Sequence, residues 1–187
     1  GTTGQGKTSL LDAGVEVARA QGIAVARGRA PQGGGTFSIF EQIYRTLPAR
    51  DGDPRLVDVF DKGVLPVDRY AFYSAFLDLL RTNGRLLLIL DDLQFCDPPS
   101  VEFLLYLIHN ALHLGKDPFV FILSHTIGSA PLHEDLDDNA LVRVLELKPL
   151  TAPEVEELIL TLLVDNADSR RLATWLHEES GGAPAFV

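Results

Sequence analysis

Eight residues at the start of the chain, Gly1-Thr2-Thr3-Gly4-Gln5-Gly6-Lys7-Thr8, have the types and spacing of a loop that wraps phosphate. In the pattern G-x-x-x-x-G-K-[ST], glycines let the backbone curl until successive N–H groups converge on phosphate oxygens. Lys7 then supplies a flexible cation for the β- and γ-phosphates, and the Thr8 hydroxyl a ligand for Mg2+. Gly1, Gly4, Gln5, Gly6, Lys7 and Thr8 are therefore expected to bind a nucleoside triphosphate. Ser9 is divided between an α-phosphate contact and a bond within the helix that follows. That helix, expected over Ser9 to Ala20, turns its positive end toward the same anion.

A second pair of groups stands 84 residues after Lys7, at Asp91-Asp92. It follows Leu86-Leu87-Leu88-Ile89-Leu90, five apolar residues without alternation, which suits a central parallel strand covered on both faces. Ligands of open α/β sheets sit at the carboxyl ends of such strands. Asp91 is expected to orient Mg2+, and Asp92 to position or deprotonate an attacking water, with Lys7 as its catalytic companion. Adjacent carboxylates repel, which is more reasonable beside a cation than in a metal-free core. The bland alternative is that the two acids merely open a loop.

The elements that must position these groups alternate between strand and helix. Residues 23–27 read as a short strand, followed by a Gly-rich loop. Phe37, Ile39, Phe40, Ile43, Tyr44 and Leu47 recur at helical spacing until Pro48. A helix is expected over Asp68 to Arg81, and another from Asp97, as cap, with Pro98 in the first turn, to about Leu114. Phe119 to Leu123 and Val142 to Leu147 read as further strands, with an acidic loop over 128–140. Helices near Ala152–Val164 and Ser169–Glu179 close the chain. The expectation is an α/β fold with an open parallel sheet.

Other candidates carry less. Arg27 and Arg29 flank Gly28 near the nucleotide side of the sheet and read as solvated surface, with a phosphate or domain contact as the alternative. His109 and His113 are one helical turn apart, but Asn110 stands where a zinc-peptidase motif needs Glu, so they read as a polar face. Ser124 and His125 read equally as strand-end residues or as γ-phosphate sensors.

The string from Leu87 to Asp97 resembles the second nucleotide motif of the STAND and origin-recognition-like AAA ATPases, found in large LuxR-type regulators and multidomain adenylyl cyclases. Leu145 to Thr151 with Glu154 and Val155 resembles that family's passage into its helical lid. Gly182-Ala183-Pro184 resembles its G-x-P element, which implies that Pro184 touches the nucleotide base. The resemblance implies a P-loop NTPase three-layer sandwich with strand order 5-1-4-3-2 over residues 1–150, and the start of a helical lid over 151–187. It implies ATP with Mg2+ as ligand and effector domains in the same parent chain, and it leaves room for ATP-dependent self-association. The family's strand-end Arg is replaced by Ile127, and its usual Trp by Phe95. The function expected is a nucleotide-dependent switch with slow ATP hydrolysis. The alternatives are a P-loop phosphotransferase and a non-hydrolysing nucleotide-binding interaction module. No [NT]-K-x-D string is present to read guanine.

Composition narrows the classes. A formal charge of −10 argues against direct nucleic-acid contact, which needs clustered Lys and Arg. No apolar run reaches the ~20 residues of a membrane span. One cysteine, Cys96, can form neither an internal disulfide nor a zinc site by itself, which fits the cytoplasm. The chain has no Met and opens inside the phosphate motif, where a buried strand usually precedes. It is therefore expected to be a slice of a longer polypeptide, lacking the first strand of the sheet. That strand would lie between Phe119–Leu123 and Val142–Leu147, so those two should leave a gap or collapse together, and the slice alone should bind nucleotide poorly.

Overall fold

The apolar run forms strand β2, Leu86–Asp91, and all six of its residues are buried. In this computed structural model, which describes residues 4–49, 52–114, 118–126 and 142–186, β2 lies between two parallel neighbours. They are β1, Ala24–Arg29, and β3, Phe119–Leu123, giving the order β1-β2-β3. The register sets Arg29 opposite Asp91 and Leu123 opposite Leu90, so the strands end nearly flush at their carboxyl ends. Seven α-helices accompany the sheet among the described residues. The fold is α/β with a parallel sheet, as expected.

The chain divides into two compact units, one of Leu11–Arg143 and one of Gly1–Leu10 with Val144–Val187. In the larger unit the sheet has two unlike faces, because successive strand residues point to opposite sides. Leu87 and Ile89 meet Leu11, Val15 and Ala18 of α1, Lys7–Ala20. Leu86, Leu88 and Leu90 meet a much larger cluster drawn from α2 (Ser38–Thr46), α3 (Pro54–Phe60), α4 (Arg69–Thr82) and α5 (Pro98–Leu114).

Local chemistry starts these helices where the sequence suggests. Asp68 accepts from the Ala71 N–H at 3.0 Å. Asp97 accepts from the Ser100 N–H at 3.1 Å and from its hydroxyl at 2.6 Å. Helix α3 is not anticipated by the sequence reading. Asp53 caps it by accepting from the Arg55 N–H at 2.9 Å, and Pro54 opens its first turn.

The smaller unit holds α6, Ala152–Leu162, and α7, Ala167–Ser180, whose shared core is Val155, Ile159 and Ala173. Glu154 closes the start of α6 by accepting from the N–H and the hydroxyl of Thr151, both at 2.7 Å. Asn166 caps α7 by accepting from the N–H groups of Asp168 and Ser169.

The strand expected over Val142–Leu147 is not formed. Residues 142–150 have no helix or strand, and Val144 and Leu145 are exposed. Composition gave a strand-like segment, but a strand exists only through a ladder partner, and no described segment pairs with this one. The expected choice between a widened gap and a collapsed pair does not arise.

Candidate functional site

In the smaller unit, the phosphate-type loop bends through Gly4 at φ 85 and Gly6 at φ 77, values that a side chain rarely tolerates. The bend delivers the chain straight into the first turn of α1, where Lys7 and Thr8 sit and where the Leu10 N–H donates to the Gly6 carbonyl at 3.0 Å. The helix thus begins two residues earlier than the sequence suggests. Thr8 and Ser9 are exposed, whereas Gln5 and Lys7 are half-buried. Gly1 lies outside the described residues.

The segment after α7 returns to this loop. The Ala185 N–H donates to the Gly4 carbonyl at 3.0 Å, and Pro184 ring carbons lie 3.7–3.8 Å from where a Gly6 side chain would begin. On its other side the segment is fixed by the Leu150 N–H, which donates to the Gly182 carbonyl at 2.7 Å. Gly4, Gly6 and Pro184, singled out near opposite ends of the sequence, are therefore brought together within this unit.

In the larger unit, Asp91 ends β2 with its carboxylate 2% exposed, and Asp92 follows in the left-handed region at φ 59, ψ 42. A non-glycine residue there costs about 1–2 kcal/mol, so the turn must be held by its contacts. Ser124, just past β3, makes three of them. Its hydroxyl donates to Asp91 Oδ1 and accepts from the Asp92 N–H at 3.2 Å. Its carbonyl accepts from the Leu93 N–H at 3.0 Å. Gln94 donates to Asp92 Oδ1 at 2.9 Å and accepts from the Thr126 N–H at 3.2 Å. Ser124 is thus a bracket for the two acids.

The arginines read as solvated surface belong to this group as well. Arg27 donates to Asp91 Oδ2 at 3.2 Å and to Asp12 of α1 at 2.5 Å. Arg29 donates through Nε to Asp92 Oδ2 at 2.6 Å. Burial draws the Arg27 guanidinium down, but the hydrogen bonds and charges of Asp12 and Asp91 outweigh it, so its pKa stands above the ordinary arginine value. The signal was present in the sequence as two arginines at i and i+2 in a strand. Their register against Asp91 and Asp92 was not.

Other candidates recede. His109 is exposed, the His113 side chain and Ile127 lie outside the described residues, and His125 Nδ1 is 3.0 Å from the Thr126 carbonyl. Burial, with the charge of Asp97 behind it, pushes the Cys96 thiol up to about 12, which leaves it inert as a nucleophile. Among the described residues no cluster of three or more His, Cys, Asp and Glu could hold a metal ion by itself, and no helix is long and apolar enough to cross a membrane. Comparison with family models, with curated proteins and with solved structures gives no match to this chain.

Proposed function

We propose that the chain binds ATP with Mg2+ and acts as a nucleotide-dependent switch with slow hydrolysis inside a larger signalling or regulatory protein. The observation that carries this reading is the loop bent by two positive-φ glycines directly into the helix turn that bears Lys7 and Thr8. Backbone N–H groups at a helix start, an ammonium and a hydroxyl are the donor set that a metal-bound triphosphate requires. The carboxylate of Asp91, buried at the end of a central strand, would orient the metal through a water. The order β1-β2-β3 agrees with the 4-3-2 stretch of the sheet implied by the resemblance, which supports the P-loop three-layer architecture.

Lys7 would neutralise the β- and γ-phosphates, Thr8 and Asp91 would hold the metal, and Asp92 would orient the attacking water. Gly4, Gln5, Gly6 and Ser9 would surround the phosphates, with Pro184 on the side of the base. Bound Mg2+ would stabilise charge developing on the phosphate oxygens. The Ala185–Gly4 hydrogen bond supports the switching part of the reading, since a loop that closes on phosphate carries its bonded partner with it.

Titration calorimetry of the full-length protein with MgATP and MgGTP tests the reading. ATP is expected to bind more tightly than GTP, and Lys7→Ala to weaken ATP by at least about a hundredfold through loss of a phosphate cation. Equal or tighter binding of GTP removes the ATP assignment. An unaltered Lys7→Ala variant removes the loop from the site.

A further inference from the structure

Both oxygens of the Asp92 carboxylate are engaged, and by groups that are themselves anchored. Gln94 takes Oδ1 and is tied to the Thr126 N–H; Arg29 takes Oδ2. Arg29 has an exposed guanidinium on a fixed root. On one side its strand is laddered to β2, and the next residue, Ala30, donates its N–H to the Asp91 carbonyl at 2.9 Å. On the other side β1 has no neighbouring strand among the described residues, and the Gln42 side chain fills the place of one. Gln42 accepts from the Arg29 N–H at 3.0 Å and donates to the Arg29 carbonyl at 2.9 Å.

Gln42 reaches Arg29 because α2 lies close against β1. A side chain at Gly28 would run into the backbone oxygen of Ile39, and Ile39 precedes Gln42 by one helical turn. The sequence thus gives a glycine and a glutamine to fix the backbone of one arginine, whose Nε then fixes one carboxylate. An ordinary exposed ion pair has no such support and holds no side chain in place. A carboxylate has about four lone-pair directions, and two remain on Asp92 after these bonds.

We propose that Arg29 is a positioning residue: held at its root by Gln42, it sets the rotation of the Asp92 carboxylate so that its free lone pairs face an attacking water. The inference rests on the reading of this chain as an ATP-hydrolysing switch, in which Asp92 orients that water. It predicts that Arg29 acts on turnover through Asp92 and contributes little to nucleotide affinity. Arg29→Lys keeps the charge but offers no planar Nε–H, so it should restore only part of the loss.

The test is a double-mutant cycle on the full-length protein, with phosphate release and MgATP affinity measured on each variant. Arg29→Gln is expected to lower kcat by about tenfold with Kd within about twofold, and Gln42→Ala to lower kcat less. In an Asp92→Asn background, Arg29→Gln should change kcat no further. Independent effects of Arg29→Gln and Asp92→Asn overturn the proposal. So does a loss confined to Kd for ATP, which would make Arg29 a phosphate ligand instead. Should Arg29→Gln fail to fold, the Arg29→Lys cycle decides by the same two criteria. If the unsubstituted protein neither binds nor hydrolyses MgATP, the underlying reading fails first, and the variants are not needed to see it.

Discussion

The two faces of the sheet differ in kind. One carries a cluster of aromatic and aliphatic side chains from four helices; the other is covered by α1 and carries charge toward its carboxyl end. On the aromatic face Phe103 is enclosed by Phe37, Phe40, Phe72, Tyr73 and Phe76, with ring centroids 4.4–5.8 Å away. On the α1 face the apolar contact is five buried residues, after which the same strands present Arg27, Arg29 and Asp91. The larger apolar core and the buried charge thereby fall on opposite sides of one sheet. Charged groups can be gathered at the strand ends on one side because burial on the other holds the strands in register.

The largest expected effect tests that division directly. Phe103→Ala removes the hub of the aromatic face and should cost about 3–5 kcal/mol, measured by urea denaturation of the full-length protein. Leu11→Ala on the α1 face should cost about 2–3 kcal/mol, because fewer neighbours lose contact and the rim is nearer to water. An equal loss from both would break the comparison, since it would give the α1 face the same structural weight.

Gly28→Ala strikes the junction between the faces. The added methyl meets the Ile39 backbone and side chain, so α2 must withdraw from β1. The expected cost is about 1–3 kcal/mol. Because the displaced helix also carries Gln42, the same variant should loosen the Arg29 root and lower ATP turnover. A variant with full stability would show that α2 adapts without moving, and would detach Gln42 from the chemistry.

The sequence disclosed these features unevenly, and the reason is range. Elements α1, α2, α4, α5 and β2 were legible because caps and periodicity act within a few residues: Asp68 and Asp97 bind N–H groups three positions on. Helix α3 was missed although Asp53-Pro54 with Leu56, Val59 and Phe60 carried its start and its apolar face. Seven residues are too few for periodicity to stand out from a loop. The Val142–Leu147 strand was misread because β-propensity measures fit to neighbours that the segment does not have. Gly4, Gly6, Lys7 and Thr8 announced a loop that the structure bends as expected, and Asp91 was rightly placed at a strand end. The bonds of Ser124, Arg27 and Arg29 to the two acids escaped because they are set by register across strands, 32 to 64 positions apart in those of Ser124 and Arg27, and Gln42 escaped because its bond depends on how α2 packs on β1. No local pattern encodes that.

The smallest effect sharpens the picture of the aromatic face by removing its one discordant atom. Tyr73 is fully buried, stacked on Phe103 with centroids 4.5 Å apart, and its hydroxyl has no hydrogen-bond partner among the described residues. An unsatisfied buried hydroxyl costs about 1–3 kcal/mol, so Tyr73→Phe should gain about 1 kcal/mol at neutral pH. Burial, with the charge of Glu102 added, raises the phenol from its ordinary 10.0 to about 12. In the unfolded chain the proton leaves near the ordinary value, while the folded protein keeps it. Between those two values the unfolded state binds fewer protons, so this group's contribution to stability falls as pH rises from about 10 and is lost by about 12. Phenylalanine has no proton to lose, and the advantage of Tyr73→Phe over the native protein should widen across that window. Paired urea curves at neutral pH and near pH 11, on the order of midway through the window, measure the difference. A constant gap would mean that the phenol ionises as freely folded as unfolded; a loss at neutral pH would mean that the hydroxyl is satisfied after all, and that this face is less purely apolar than its rings suggest.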